Sequence, residues 1–467
     1  MIQPSELERI FKLQKERQPE IRATSARERI AKLRKLGDAI LAQRAELEKA
    51  LMADLQKPTA EAAIGELFPT LSEIKHASRH LHRWMEPVHV GNPRTYLGSS
   101  GKYVYEPKGV VLIIAPWNFP FQLTVGPLIS AIAAGNCAMV KPSELSPHTS
   151  GFIARLLSSL FPEHEVAVIE GDPEVATSLL QLPFDHIFFT GSTTVGKIVM
   201  QAAAKNLASV TLELGGKSPV VIDSEYDASD AARKILWGKS FNAGQTCVAP
   251  DYLLLPESRQ GEFVAAFKNT VAQHYPNLKE SPDYCRIIND RHQQRIKHLL
   301  EDAIAKGARL EVGGETDDAT RYFAPTILTN VSSDSELMQQ EIFGPILPIL
   351  TYQDVDQALR LINARPKPLA LYIFSKSETF ADRVLRNTSA GGTCINDVMV
   401  QFTNIELPYG GVNQSGVGNS HGYFGFKAFS HERAVLKQPG FSAMKYLYPP
   451  YTPKVRRLAD FVLKYFT

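Results

Sequence analysis

The chain has 467 residues, 44% of them apolar and 21% charged, with 51 Lys and Arg against 49 Asp and Glu. That length suits about three domains of roughly 150 residues each and is enough to bury a large core. The near-balanced charge, net +2, offers no basic face for a nucleic acid, and four scattered cysteines without a CxxC pair exclude a zinc site or a disulfide framework in favour of free thiols.

In chain order, the N-terminal MIQPSELERIFKLQKERQ is helical and charged, with no apolar core of a signal peptide. A cytoplasmic protein is expected. Ser25 to Glu28 form a capping-box pattern ahead of an apolar stripe at Ile30, Leu33, Ile40 and Leu41. Gly37 and Asp38 are expected to break that helix in two. A Gly/Pro/Ser-rich passage, 91–101, separates the N-terminal helices from the rest of the chain. From Gly109, short apolar runs (GVVLIIAP, CAMVKP, VAVIEG and DHIFFTG) read as buried strands, with helices between them; Ser146-Pro147 opens one as N-cap and first-turn proline. Strands alternating with helices imply a parallel sheet covered on both faces. Such sheets bind ligands beyond the carboxyl ends of their strands, where this chain has APWNFP, KPSE and TGS.

The strand DHIFFT runs into GSTTVG and then a helix. Gly191, Gly196 and Lys197 have the spacing of a triphosphate-binding loop, but Ile198 stands where a Ser or Thr would hold Mg²⁺. Backbone N–H groups at a helix start bind a pyrophosphate without a metal; glycines serving only a tight turn are the plainer alternative. A second strand-helix series begins near Leu212, and the chain is rich in Gly, Asn and Ser from about 396 to 425. The longest apolar runs, 110–115 and 128–134, are too short to span a bilayer.

Seven tags occur in order: PWNFP (116–120), KPSE (141–144), FTGS (189–192), ELGGKSP (213–219), FNAGQTC (241–247), EIFGPI (341–346) and LPYGGVNQSG (407–416). Together they resemble the NAD(P)-dependent aldehyde dehydrogenase superfamily over nearly the whole chain. The short N-terminus and the tail YLYPPYTP (446–453) are most similar to its class 3 branch. The resemblance makes Cys247 the nucleophile that forms a thiohemiacetal and then a thioester, Glu213 the base for the hydrolytic water, and Asn118, with the N–H of Cys247, the oxyanion donor. It makes Gly191, Ser192, Thr193, Thr194, Val195 and Gly196 the pyrophosphate loop. Lys141 and Glu144 would contact the adenosine ribose, and Glu341 and Phe343 the nicotinamide ribose and ring. A ribose-binding carboxylate favours NAD, and Lys141 beside it leaves NADP tolerated. No metal is required.

The implied fold is α/β. A Rossmann-like cofactor domain takes 1–88 and 108–212, an α/β catalytic domain 213–426, a small β oligomerisation element 89–107 and 427–440, and a tail 441–467. That branch implies a homodimer and medium- or long-chain aliphatic or aromatic aldehydes as substrates. The alternatives are a CoA-acylating or phosphorylating semialdehyde dehydrogenase and a non-catalytic protein on the same scaffold. Cys137, Cys285 and Cys394 read as ordinary thiols. Tyr409 and the aromatics Tyr423, Phe424 and Phe426 serve equally as pocket walls or as core. VRRLADFVLKYF (455–466) is amphipathic and somewhat basic. It is expected to pack on the body or on a partner subunit, with weak membrane-surface contact as the other reading, and no transmembrane anchor is expected.

Overall fold

The computed structural model describes residues 2–93, 98–438, 440 and 443–466. The N-terminal helices are Pro4–Arg22, Ala26–Ala42 and Arg44–Leu55. The capping box at Ser25 closes on both sides, with Glu28 N–H donating to Ser25 Oγ and Ser25 N–H to Glu28 Oε2. The expected break at Gly37 and Asp38 does not occur. The helix runs straight through, because one glycine costs a helix only about 1 kcal/mol while Leu33, Leu36 and Ile40 around it are buried in the core.

The first sheet has six strands in the spatial order Gly416–Val417, Ser209–Leu214, His186–Gly191, Val110–Ile114, Cys137–Lys141 and Val166–Val168. All neighbours are parallel except the first pair. Val110–Ile114 and Cys137–Lys141 are buried at every residue, as central strands covered on both faces must be. The chain steps outward to Val166–Val168 and then returns to the other side of Val110–Ile114. The strand order therefore reverses between Val110–Ile114 and His186–Gly191, and the loops leaving these two strands, 115–121 and 191–193, flank the crevice so formed. The helix Pro147–Leu160 begins where the Ser-Pro pair places it, but Ser146 makes no capping bond with its side chain. Asp54, from the third helix, accepts the N–H groups of His148 and Thr149 at 3.1 and 2.8 Å instead.

The second sheet has seven strands in the order Arg309–Val312, Thr326–Thr329, Ile346–Tyr352, Tyr252–Pro256, Pro219–Ile222, Ala370–Phe374 and Gly392–Ile395. Only Arg309–Val312 is antiparallel to its neighbour. A third sheet joins Val88–Val90, Ser100–Pro107 and Ser430–Lys437, all antiparallel. Residues 94–97 of the expected hairpin and 439, 441 and 442 beyond the last strand lie outside the described residues.

Two boundaries move. Glu213 and Leu214 finish a strand of the first sheet, so the change of sheet falls at 215–218 rather than at 212/213. Residues 416–429 return to the first unit. Gly416–Val417 pairs with its edge strand, and Phe426 and Phe429 join the core that holds Trp84 and Phe188. The tail forms the helix Pro453–Phe466, none of whose residues is buried. No helix among the described residues is long and apolar enough to cross a membrane.

Candidate active site

At the carboxyl edge of the first sheet, Ser192 caps the helix Thr193–Lys205, its hydroxyl accepting the N–H of Val195. The first intrahelical bond runs from Gly196 N–H to Ser192 O, so the N–H groups of Thr193 and Thr194 stand ahead of the helical ladder. Gly196 lets this helix press on the neighbouring strand: a Cβ there would lie 2.7 Å from Leu214. Thr193, Gly215, Gly216, Lys217, Glu341 and Gln414 line one cleft. Its bare backbone and its helix N-terminus form a cradle with the chemistry of a dinucleotide phosphate site, while Lys217 is held by Asp251 and the carbonyls of Leu337 and Gln340. Lys141 ends its strand beside Ile114 and pairs with Glu144 at 3.0 Å. Phe343 is held at φ 46° with its ring 5.4 Å from that of Trp117, a costly conformation of the kind that clusters at functional sites. Burial pushes the Glu341 carboxyl up to about 8.

Cys247 follows a tight loop in which Asn242, Ala243 and Gly244 all have positive φ, at 53°, 52° and 72°. Asn118 Nδ2 donates to Gln245 O at 3.0 Å, and Asn242 Nδ2 donates to Asn118 O at 2.9 Å. These bonds tie the 116–120 loop to the cysteine loop and leave the second amide N–H of Asn118 free. Burial pushes the Cys247 thiol up to about 12, and the Tyr409 hydroxyl lies 3.4 Å from its sulfur.

Glu213 is buried on the last strand before the change of sheet, and burial pushes its carboxyl up to about 8. Ser420 Oγ donates to Glu213 Oε1 at 3.0 Å, while Oε2 has no partner among the described residues. Tyr409 and Ser420 form a single antiparallel bridge. The Gly/Asn/Ser-rich segment thus bonds the nucleophile through one residue and the carboxylate through another. Cys247 opens into a cleft walled by Phe119, Leu123, Trp237, Phe241, Met399 and Phe402. Glu213 lines a second cavity, and Tyr409 borders both. A thiol, an amide donor and a carboxylate of raised pKa, set beside a dinucleotide cradle, can carry out acyl transfer coupled to hydride removal.

The aldehyde dehydrogenase family model matches residues 1–435. This chain belongs to the aldehyde dehydrogenase family. It is 47% identical over 450 residues to the rat aldehyde dehydrogenase family 3 member A2, covering 95% of this chain and 92% of the relative. It is 46% identical to the 4,4'-diaponeurosporen-aldehyde dehydrogenase of Staphylococcus aureus, covering 92% and 93%. The fold superposes on a substrate-bound Staphylococcus aureus AldH with a TM-score of 0.93 at 43% identity, covering 97% and 99%. Betaine aldehyde dehydrogenase of Staphylococcus aureus, solved with NAD⁺, is 27% identical with a TM-score of 0.86, covering 95% and 89%. The Methanocaldococcus jannaschii glyceraldehyde-3-phosphate dehydrogenase, solved with NADP, is 25% identical with a TM-score of 0.85, covering 94% and 95%. The enzyme is an NAD(P)-dependent oxidoreductase of the aldehyde dehydrogenase fold, and it oxidises aldehydes.

In this dehydrogenase, Asn118 is bonded to the loop of Cys247, and Tyr409 stands between the cleft of Cys247 and the cavity of Glu213, while Glu341 lines the cleft that begins at Thr193. Lys141 and Glu144 stand farther along the same sheet edge. Ser420 is a site residue that the sequence did not single out, and Tyr409 stood there equally as wall or core; the only signal for either was its place in a Gly-rich stretch. Tyr409 proves a wall of the site, whereas Tyr423 and Phe426 belong to the core against Trp84 and Tyr105. Cys137 and Cys285 are buried, and Cys394 lies partly buried on the strand Gly392–Ile395.

Proposed function

We propose that the enzyme oxidises medium- and long-chain aliphatic or aromatic aldehydes to carboxylic acids through a thioester on Cys247. The observation that carries this reading is the placement of the Cys247 thiol in an almost wholly apolar cleft, with the unpartnered Glu213 oxygen in a cavity across Tyr409. An apolar wall favours an apolar substituent on the carbonyl by about 0.8 kcal/mol per buried methylene.

Cys247 Sγ, its proton released to solvent water, bonds to the aldehyde carbon, and the oxyanion is met by Asn118 Nδ2 and the N–H of Cys247. The cofactor, when bound, accepts the hydride; Lys141, Glu144, the 191–196 loop, Glu341 and Phe343 would hold it. Glu213 Oε2 then takes a proton from water as its oxygen attacks the thioester carbon, and the acid leaves as the Cys247 thiolate is restored. The Lys141–Glu144 pair supports use of NADP as well as NAD, because the cation offsets the charge that would repel a 2′-phosphate. The three-stranded sheet, Val88–Val90, Ser100–Pro107 and Ser430–Lys437, joins two subunits; the unit of the first sheet binds cofactor, and the unit of the second sheet carries the nucleophile. The exposed tail helix, with Lys454, Arg456, Arg457 and Lys464 against Asp460, suits a weak membrane-surface contact.

The test is NADH and NADPH formation with a panel running from acetaldehyde to long aliphatic and aromatic aldehydes, with and without CoA or phosphate. Turnover that rises with apolar length, is independent of CoA and phosphate, and vanishes in Cys247→Ala is the expected result. A product that forms only with CoA or phosphate would move the enzyme to the acylating or phosphorylating class.

A further inference from the structure

The stretch 57–67, helical from Thr59, bonds both loops of the site. Lys57 and Glu66 are wholly buried and form an ion pair of 2.6 Å. Lys57 Nζ also donates to Asn118 O at 3.0 Å and sits 4.2 Å from the centre of the Phe119 ring. The second Glu66 oxygen accepts the N–H of Gln122 at 2.8 Å. It thereby caps the helix Gln122–Ala134, whose N-cap residue Phe121 has no capping side chain. The pair grips the main chain on both sides of Phe119 and leaves the Asn118 amide group itself untouched. Glu61, on the same stretch, accepts the N–H of Asn242, the first left-handed residue of the cysteine loop, at 2.8 Å. After Glu61 the helix widens into a π turn, Ala63–Leu67, which carries Glu66, an irregularity frequent at functional sites.

Fold stability is a poor account of this pair. Two charges taken fully out of water cost more than their attraction returns unless further hydrogen bonds are made, and apolar residues of the same volume often hold a core as well or better. Here every further bond goes to the loop that carries Asn118 or to the helix it leads into. One amide N–H of Asn118 is spent on Gln245 O, so the direction of the other is set by the main chain that Lys57 and Glu66 hold.

We propose that Lys57 and Glu66 are positioning residues for aldehyde oxidation, which fix the main chain of 118–122 so that the free N–H of Asn118 points at the oxyanion. The proposal rests on the reading of Asn118 as an oxyanion donor. Neither residue touches substrate; both act through Asn118.

A double-mutant cycle on the full-length enzyme tests it. Lys57→Met/Glu66→Gln removes the pair without leaving a lone buried charge, and is made in the native enzyme and in Asn118→Ala. Folding is checked by circular dichroism, and NAD⁺ affinity by fluorescence. In the native background kcat falls by about tenfold to a hundredfold, the order expected for a misaimed catalytic group, with NAD⁺ affinity unchanged. In Asn118→Ala the same change costs no more than about twofold, within the additivity error of such cycles. Equal losses in both backgrounds, or no loss in either, would overturn the proposal and leave the Asn118 reading standing. An Asn118→Ala enzyme with native kcat would instead sink the Asn118 reading, and this proposal with it. Should the double variant fail to fold, Glu66→Gln alone keeps the shape and an acceptor for Gln122, and the cycle is read with it.

Discussion

Glu213 works as a base only when ionised, and burial holds its carboxyl near 8. About a tenth is then ionised at pH 7 and about nine-tenths at pH 9. The kcat of the native enzyme should rise with pH through about 8 and level off above it, and Glu213→Gln should abolish that limb; a flat profile from pH 6 to 9 would remove Glu213 from the rate-limiting step. Tyr409 presents its hydroxyl to the same sulfur at 3.4 Å, where it steadies the thiolate by a charge-assisted hydrogen bond. Tyr409→Phe keeps the wall and loses the bond. A fall in kcat/KM of about tenfold, or roughly 1.4 kcal/mol, is expected, with alkylation of Cys247 by iodoacetamide slowed in step. The Cys247, Glu213 and Asn118 candidates were legible because each sits in a short tag of distinctive residues. Tyr409, Ser420, Lys57 and Glu66 were not, since each gains its meaning from a partner between 9 and 207 residues away in the chain.

Among elements, the buried strands of the first sheet were the easiest to read, since parallel strands covered on both faces are unbroken apolar runs. The helices were harder at their ends. Ser146-Pro147 marks the right start for Pro147–Leu160, but the capping oxygen comes from Asp54, more than ninety residues earlier. Asp54→Ala should therefore destabilise the enzyme by about 1–2 kcal/mol in chemical denaturation, and Ser146→Ala by much less. An equal effect of the two would contradict the assignment of the cap. The π turn bears on specificity too. Gly65 faces the apolar cleft, where a Cβ would come within 2.8 Å of the Phe119 ring and 3.1 Å of Phe241. Gly65→Ala should raise KM for bulky aromatic aldehydes by roughly tenfold, the worth of one methylene in a tight pocket, and change that for acetaldehyde little.

The whole molecule joins two mainly parallel sheets through the short passage 215–218, while the three-stranded antiparallel sheet and the tail helix add no side chain to the candidate site. If the sheet holds the dimer, deletion from Pro453 onward should leave both the molar mass by light scattering and the melting temperature unchanged, because no residue of the tail helix is buried. Conversion to monomers would instead show the tail reaching the partner subunit. The return of residues 416–429 to the first unit escaped a linear reading for a physical reason: they are Gly-rich at one end and aromatic at the other, and only Phe426 and Phe429 reveal which core they enter. The thioester route is tested most directly by the intact mass of Glu213→Gln after mixing with NAD⁺ and an excess of an apolar aldehyde. One acyl group should accumulate on Cys247, together with about one reduced cofactor per subunit, while steady turnover falls by about a hundredfold or more. Native turnover with no adduct on Cys247 would contradict that route.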